Sequence, residues 1–342
     1  MAASLRVLRR RIRSTKNIAQ ITKAMEMVAA SRIAKAQARV TAARPYSDEF
    51  THVLTTAAHA GASDHPLLVP RAEPSRVGVL VITSDRGLCG GYNANTLREA
   101  ERVMREMRDA GKEPSLFVVG GKGVGYFRFR NREMSGQWTG FSEVPDYPNA
   151  TRAADTLTAC FLAGGQSRVE REEQDASSPE DDGAGPPGSG GPQTFTPPAD
   201  AEGLAGVDEL HVVYTAFNSL SSQTVVSRQI APLDIEDEGS SASSDSSGSS
   251  GSEERDAEYD FEPEPEVLFD ALMPKYLRAR VFAALLDAAA SESAARQRAM
   301  KAATDNANDL VDNLTREANQ ARQAQITQEI SEIVGGANAL AE

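Results

Sequence analysis

Residues 4 to 44 read SLRVLRRRIRSTKNIAQITKAMEMVAASRIAKAQARVTAAR, a run with neither glycine nor proline. Lys275 to Val334 lacks both as well. Glycine and proline end or bend helices, so their absence predicts helices of about 40 and 60 residues. At a rise of ~1.5 Å per residue these span roughly 60 and 90 Å, longer than a small domain is wide. Two such helices from opposite chain ends cannot both wrap one core. The reading is an antiparallel coiled coil of the N- and C-terminal helices, with the middle of the chain folded separately.

Within the first run, Leu5, Leu8 and Ile12, then Ile18, Ile21, Met25 and Val28, recur at steps of three and four. The step of six from Ile12 to Ile18 breaks a strict heptad and predicts a shift of the apolar seam. Pro45 is expected to end or kink this helix, because it removes the bond to Thr41. The last run holds fifteen alanines, which let two helices approach closely and keep the pair thin. Its final stretch, Ile333 to Ala341, carries no charge.

Between the ends the pattern changes. Val77 to Ser84 is an apolar strand run followed by a Gly-rich loop, Asp85 to Tyr92, and a helix to about Ala110 capped by Asn93 or Asn95. Further strands are read at Leu116 to Val119, Leu210 to Thr215 and Thr224 to Ile230, with helices at Lys122 to Phe129 and Thr151 to Leu162. This alternation predicts a small Rossmann-like α/β sheet domain with a largely parallel core. The expected organisation is a first shaft helix over 1–60, the α/β domain over 76–235, and a second shaft helix over 267–342.

Two stretches interrupt this plan. Gly164 to Gly206 and Glu236 to Glu266 are rich in Gly, Pro, Ser and acids and poor in apolar side chains. Neither buries enough surface to offset the entropy of ordering, so both read as disordered acidic insertions, at 166–206 and 236–266. The net charge of −13 comes from these segments. Residues 166–206 carry nine acids and two arginines, and residues 234–266 carry thirteen acids and Arg255. The rest of the chain is net positive. Residues 1–44 hold eleven Lys or Arg against Glu26 alone.

Catalytic chemistry finds no support. Thr83 to Tyr92 sits where phosphate loops occur but matches neither GxxxxGK[ST] nor GxGxxG, and Gly120-Gly-Lys-Gly lacks the required upstream glycine. The four histidines show no metal spacing, and Cys89 and Cys160 form no CxxC pair. No cofactor, no metal and no catalytic residue is expected. The arginines of the first helix are not interleaved with aromatics, which argues against a nucleic-acid surface. The remaining rival is a nucleotide-dependent enzyme built on the sheet. No apolar run approaches the ~20 residues of a membrane helix, and the N-terminus has no signal-peptide core.

Four stretches in order then carry a resemblance: Ile12 to Ser31, Ser84-Asp-Arg-Gly-Leu-Cys-Gly-Gly-Tyr-Asn93, Ala299 to Ala307 and Asn319 to Ala337. Together they closely resemble the gamma subunit of bacterial F-type ATP synthases, with an actinobacterial flavour in the loop near residue 166. The resemblance implies a non-catalytic central rotor that couples proton-driven ring rotation to ATP synthesis. Its implied partners are the alpha and beta subunits of the head, an epsilon subunit and the membrane c-ring, without nucleic acid. It also implies peripheral attachment to the cytoplasmic side of the cell membrane through the complex. Arg322, Gln323, Thr327 and Glu329 match the family's polar contact with beta. Lys23 and Met25 match the part of the first helix that faces beta's acidic hinge segment. Arg86, Gly87, Cys89, Gly90 and Gly91 match a loop that docks on the head.

Overall fold

A computed structural model describes residues 2–59, 65, 67–170, 195–233 and 265–339. Helix α1 covers Ala2–His59 and helix α5 covers Pro265–Ala339. Between them lie β1 (Arg76–Ile82), α2 (Tyr92–Asp109), β2 (Glu113–Val119), α3 (Gly121–Phe129), β3 (Gly136–Trp138), α4 (Tyr147–Ala163), β4 (Glu209–Phe217) and β5 (Gln223–Ala231). The chain divides into two units. The first comprises 1–33, 88–90 and 293–342, and the second comprises 34–87 and 91–292.

In the first unit, the N-terminal part of α1 packs on the C-terminal part of α5. Thr304 and Thr22 are both buried, and their hydroxyls meet at 2.7 Å. The buried positions step away from this crossing in opposite directions: Ala19 and Thr15 on α1, Ala307 and Val311 on α5. That order makes the pair antiparallel. Most of the buried side chains are small, so the backbones lie close together. The Thr22 hydroxyl is turned back on the Ile18 and Ala19 carbonyls, so it accepts from Thr304 and both threonine hydroxyls are satisfied.

In the second unit, a five-stranded sheet has the order β3-β2-β1-β4-β5, parallel except for β5. Alternation along the strands builds two cores. Leu80, Ile82, Phe117, Val119, Val212 and Tyr214 face α4 and the first part of α5, against Leu157, Phe161, Phe269 and Tyr276. Val77, Val79, Val81, Val118 and Val213 face α2 and α3, against Leu97, Val103, Met104 and Phe127. A parallel sheet covered on both faces explains the unbroken apolar run of β1.

Several expectations are corrected. Pro45 does not end α1, which continues to His59. Pro45 and Thr41 are both exposed, so water reaches the carbonyl that the missing N–H leaves free. Pro274 lies inside α5, nine residues after its start and within the range expected for the second helix. Neither Asn93 nor Asn95 caps α2. Gly91 occupies the cap position without a side-chain bond, while Asn93 turns back to hold Ser84. Strand β3 escapes a sequence reading because three residues containing a glycine form no pattern.

Part of the first insertion is also ordered. Val169 bonds Leu204 and Gly203 through the backbone, Gly206 bonds Ser167, and Ala201 is fully buried in a short 3-10 turn, Ala199–Ala201. The apolar residues Val169, Ala201, Leu204 and Val207 anchor these flanks. The rest of both insertions, 171–194 and 234–264, lies outside the described residues.

The flanks are pinned by Asp208, whose side chain is 5% exposed. One carboxylate oxygen accepts from the Ser75 and Arg76 amides at 2.8 and 3.1 Å. The other accepts from the Gly165 amide at 2.9 Å and from Arg71 at 3.0 Å. Burial pushes the Asp208 carboxyl up, but these donors outweigh it and hold the pKa at about 2. The depressed value means that this stabilisation, about 2 kcal/mol, is present above pH ~4 and lost as pH falls toward 2. Asp208→Asn replaces an acceptor by a donor facing donors and is expected to cost about 2–4 kcal/mol at neutral pH. Urea midpoints measured at pH 7 and pH 3 check both statements: the gap between wild type and variant should narrow in acid.

Candidate functional site

Three places hold the residues singled out above. The first is the loop that leaves β1. Leu88 and Gly90 both take positive φ, 64° and 58°, and the backbone between them folds Cys89 inward to 3% exposure. Leu88 points out and is 60% exposed. Residues 88–90 belong to the helical unit, where a Cβ added to Gly90 would lie 3.7 Å from that of Ala299. Arg86 is exposed along most of its side chain and reaches within 3.9 Å of Glu143. Gly87 stands beside the Lys122 chain, and Gly91 begins α2.

The loop's interior is fixed by its neighbours. Asp85 accepts from the Ser142 and Gly121 amides at 2.9 Å each, and its own amide donates to the Ser142 hydroxyl at 2.8 Å. Burial pushes the Asp85 carboxyl up, but the amides of Ser142, Gly140 and Gly121 draw it below the ordinary carboxylate range. Asp85 is therefore a charged latch between the loop, the α3 start and the segment after β3.

Strand order 3-2-1-4-5 is that of nucleotide-binding sheets, where ligands sit at strand ends against helix amides. At the start of α3 those amides are already used. Gly121, Lys122 and Gly123 donate to the Asp85 carboxylate, the Ser84 carbonyl and the Thr83 hydroxyl, each at 2.9 Å. Between α2 and β4 the Thr96 and Thr215 hydroxyls bond at 3.0 Å and are buried. A phosphate placed there would face the Asp85 carboxylate.

The second place is on α1. Lys23 pairs with Glu26 at 3.1 Å, with the ammonium group still exposed, and Met25 is half-buried beside it. The third is the end of α5. Among its residues described up to Ile333, Ala318 is the last buried one, and Arg322, Gln323, Thr327 and Glu329 are all exposed. The Thr327 hydroxyl donates to the Gln323 carbonyl at 3.0 Å, and Gln325 donates to Glu329 at 2.9 Å. Ile326, Ile330 and Ile333 stand exposed at steps of four and three, the last at 71%. In the antiparallel register set by Thr22 and Thr304, Arg322 falls level with the start of α1, and the rest of α5 outruns it. The same register puts Lys23 and Arg322 roughly 30 Å apart along the pair. The structure thus keeps these two patches separate.

Sequence reading missed the structural roles of Asp85, Asp208 and the two threonines. Single polar residues in apolar stretches carry no periodic signal. It also passed over Arg98, Arg102 and Arg105, although their helical spacing on α2 was available.

Cys89 and Cys160 are both buried, and burial pushes the Cys160 thiol up to about 12. Among the described residues no cluster could hold a metal, and no helix is long and apolar enough to cross a membrane.

A family model described as ATP synthase matches residues 4–340. The chain is 55% identical over 341 residues to the ATP synthase gamma chain of Mycolicibacterium smegmatis, covering 100% of this chain and 99% of that one. It is 51% identical over 338 residues to the ATP synthase gamma chain of Saccharopolyspora erythraea, covering 99% and 98%. Among solved structures it is similar to a chain of the Euglena gracilis mitochondrial ATP synthase OSCP/F1/c-ring assembly. The TM-score is 0.59 at 17% identity, over 99% of this chain and 95% of that one. A chain of the Tetrahymena thermophila central stalk and c-ring gives a TM-score of 0.51 at 22% identity, over 83% and 99%. At these identities the structural likeness speaks for the fold.

Proposed function

The chain belongs to the ATP synthase gamma chain family, and from that premise we propose that it is the rotating central-stalk subunit of a membrane-bound ATP synthase, itself without catalytic residues. Its turning couples proton flow through the membrane ring to ATP synthesis at the catalytic head. The observation that carries this reading is the α1–α5 pair with its protruding α5 end. A slim pair closed by small side chains can enter a narrow bore, and its bare end presents Ile326, Ile330 and Ile333 to a surrounding sleeve.

In this account the head is formed by alpha and beta subunits. Arg322, Gln323, Thr327 and Glu329 touch beta near the tip, and Lys23 and Met25 touch it lower on the pair. The loop of Arg86, Gly87, Cys89, Gly90 and Gly91 docks against the head's base. The sheet unit meets an epsilon subunit and the c-ring on the cytoplasmic side of the cell membrane. The excess of ten positive charges in residues 1–44 calls for acidic surface on the sleeve.

The rotor works by being asymmetric. Each catalytic site meets a different face of the pair, so the angle of the pair sets which site is open. Moving one site from 1:99 to 99:1 takes about 5.5 kcal/mol of differential contact. One exposed ion pair supplies roughly 0–1 kcal/mol. Coupling is therefore spread over many contacts, and no single exposed residue is indispensable. Arg322→Ala is expected to slow ATP turnover of the reconstituted complex by about two- to tenfold, the equivalent of roughly 1 kcal/mol, while subunit composition stays intact. Gel filtration with a steady-state hydrolysis assay reads both. Loss of assembly would refute the distributed contact.

A further inference from the structure

Helices α2 and α3 lie on the same face of the sheet and leave between them a cleft of about 960 Å³. Its walls carry Arg98, Arg102, Arg105, Lys122, Arg130 and Arg132, against a single carboxylate, Glu101. Some of this charge is balanced locally. Arg102 is held by Glu99 and Glu106, and Arg132 lies 3.9 Å from Glu101. Arg130 stacks 3.9 Å above the Tyr126 ring. Arg98, Arg105, Lys122 and Arg130 are exposed and, among the described residues, have no carboxylate in ion-pair range. Leu97 and Tyr126 give the cleft an apolar floor. Like charges crowded at this spacing repel, so a polyanion laid along the cleft is stabilised there.

The chain carries such a polyanion. Residues 234–264 hold twelve acids against Arg255, with Tyr259 and Phe261 set among the acids. Its roots lie on the other face of the sheet, where Leu233 and Phe269 join the α4–α5 core, but at the end of the sheet that Arg105, Arg130 and Arg132 share. Strand β5 runs antiparallel to β4 and finishes with Ala231 opposite Leu210, near where β4 begins. Helix α2 runs back from the end of β1 to the start of β2, so Arg105 lies toward that same end, and so do Arg130 and Arg132 beyond α3. The segment leaves Leu233 and returns at Pro265. Its 31 residues are tied at both ends, so its middle reaches out on about 16 residues, roughly 50 Å when extended, against a radius of gyration of about 16 Å for a unit of this size.

We infer that the acidic tract of residues 234–264 docks in the α2–α3 cleft of its own chain and covers its cations. The tract is then an internal competitor that any outside acidic segment must displace. This inference concerns the sheet unit alone and stands independently of the rotor reading.

Two measurements on the full-length chain test it. Carbodiimide joins an amine to a carboxylate only where they touch, and Lys122 is the cleft's one amine. Mass spectrometry should find Lys122 joined to Asp or Glu of 234–264 at low salt. That product should fall at least tenfold at about 0.5 M salt, where screening acts within a few ångströms, and equally in Arg98→Glu/Arg105→Glu. Both arginines are exposed, so circular dichroism should show that variant folded. The second probe is a fluorescent peptide of residues 234–264, offered to the intact chain and to a chain in which 234–264 is replaced by a Gly-Ser linker of equal length. Anisotropy should report binding to the replaced chain at least tenfold tighter than to the intact one. Equal binding to both would mean that the cleft stands open to a partner's acidic segment, and would overturn self-docking. Absence of the Lys122 product, or its persistence in the double variant, would overturn it as well.

Discussion

Leu314→Asp is expected to separate the two terminal helices and abolish coupled ATP synthesis. Leu314 is 3% exposed in the α1–α5 seam, between Val311 and Ala318. Its removal forfeits about 2–3 kcal/mol of apolar burial. The carboxylate that replaces it must be desolvated among apolar and small side chains, which adds several kcal/mol more. The total exceeds about 4 kcal/mol, a size that only a buried charge or a cavity produces. Leu310, four residues earlier, is 45% exposed, so Leu310→Asp is the matched control and should leave the pair intact. The readout is a disulfide between Thr22→Cys and Thr304→Cys, placed where the native hydroxyls meet at 2.7 Å. It should close readily in the parent and in the Leu310 control, and poorly in Leu314→Asp. Equal closure in all three would show that the seam does not depend on Leu314.

Gly120→Ala should have a comparable effect on the sheet unit. Gly120 takes φ +99°, and a Cβ built there would stand 2.2 Å from the Thr83 carbonyl oxygen. That atom is backbone, held where Thr83 donates its amide to Val119 and its hydroxyl reaches toward Val119 and Gly120. Nothing flexible can move aside. The left-handed backbone alone costs a side chain about 1–3 kcal/mol, and the collision adds more, for a total above roughly 4 kcal/mol. Gly111, at φ +79° with nothing within 4 Å, isolates the first contribution. Gly111→Ala should cost only about 1 kcal/mol. Chemical denaturation of the two variants separates strain from collision, and similar losses in both would contradict the close approach of β1 to the α3 start.

The sequence was most informative where a pattern extends over many residues. The breaker-free ends made both long helices legible, and the apolar run of β1 announced a strand of a largely parallel sheet. Pro45 was expected to end or kink α1, yet the helix runs on to His59, because a proline in a long helix costs one bond, which tertiary packing elsewhere outweighs. Residues 195–206 were misread because composition was averaged over the segment, while Val169, Ala201 and Leu204 act as single anchors. The positions of Arg322, Gln323, Thr327 and Glu329 on an exposed helix end were foreseeable, since no apolar stripe of α1 extends to cover them. The Asp85 latch was not. It joins residues 36 and 57 positions apart, a relation that only the folded sheet brings about.

The rotor claim is tested most directly by watching the chain turn. Alpha and beta subunits assembled with this chain would be fixed to a surface, with a bead attached to the sheet unit. On addition of ATP the account predicts unidirectional rotation of the bead, with three pauses per turn, one for each catalytic site. A bead that holds a fixed angle while the same complexes hydrolyse ATP at full rate would contradict it.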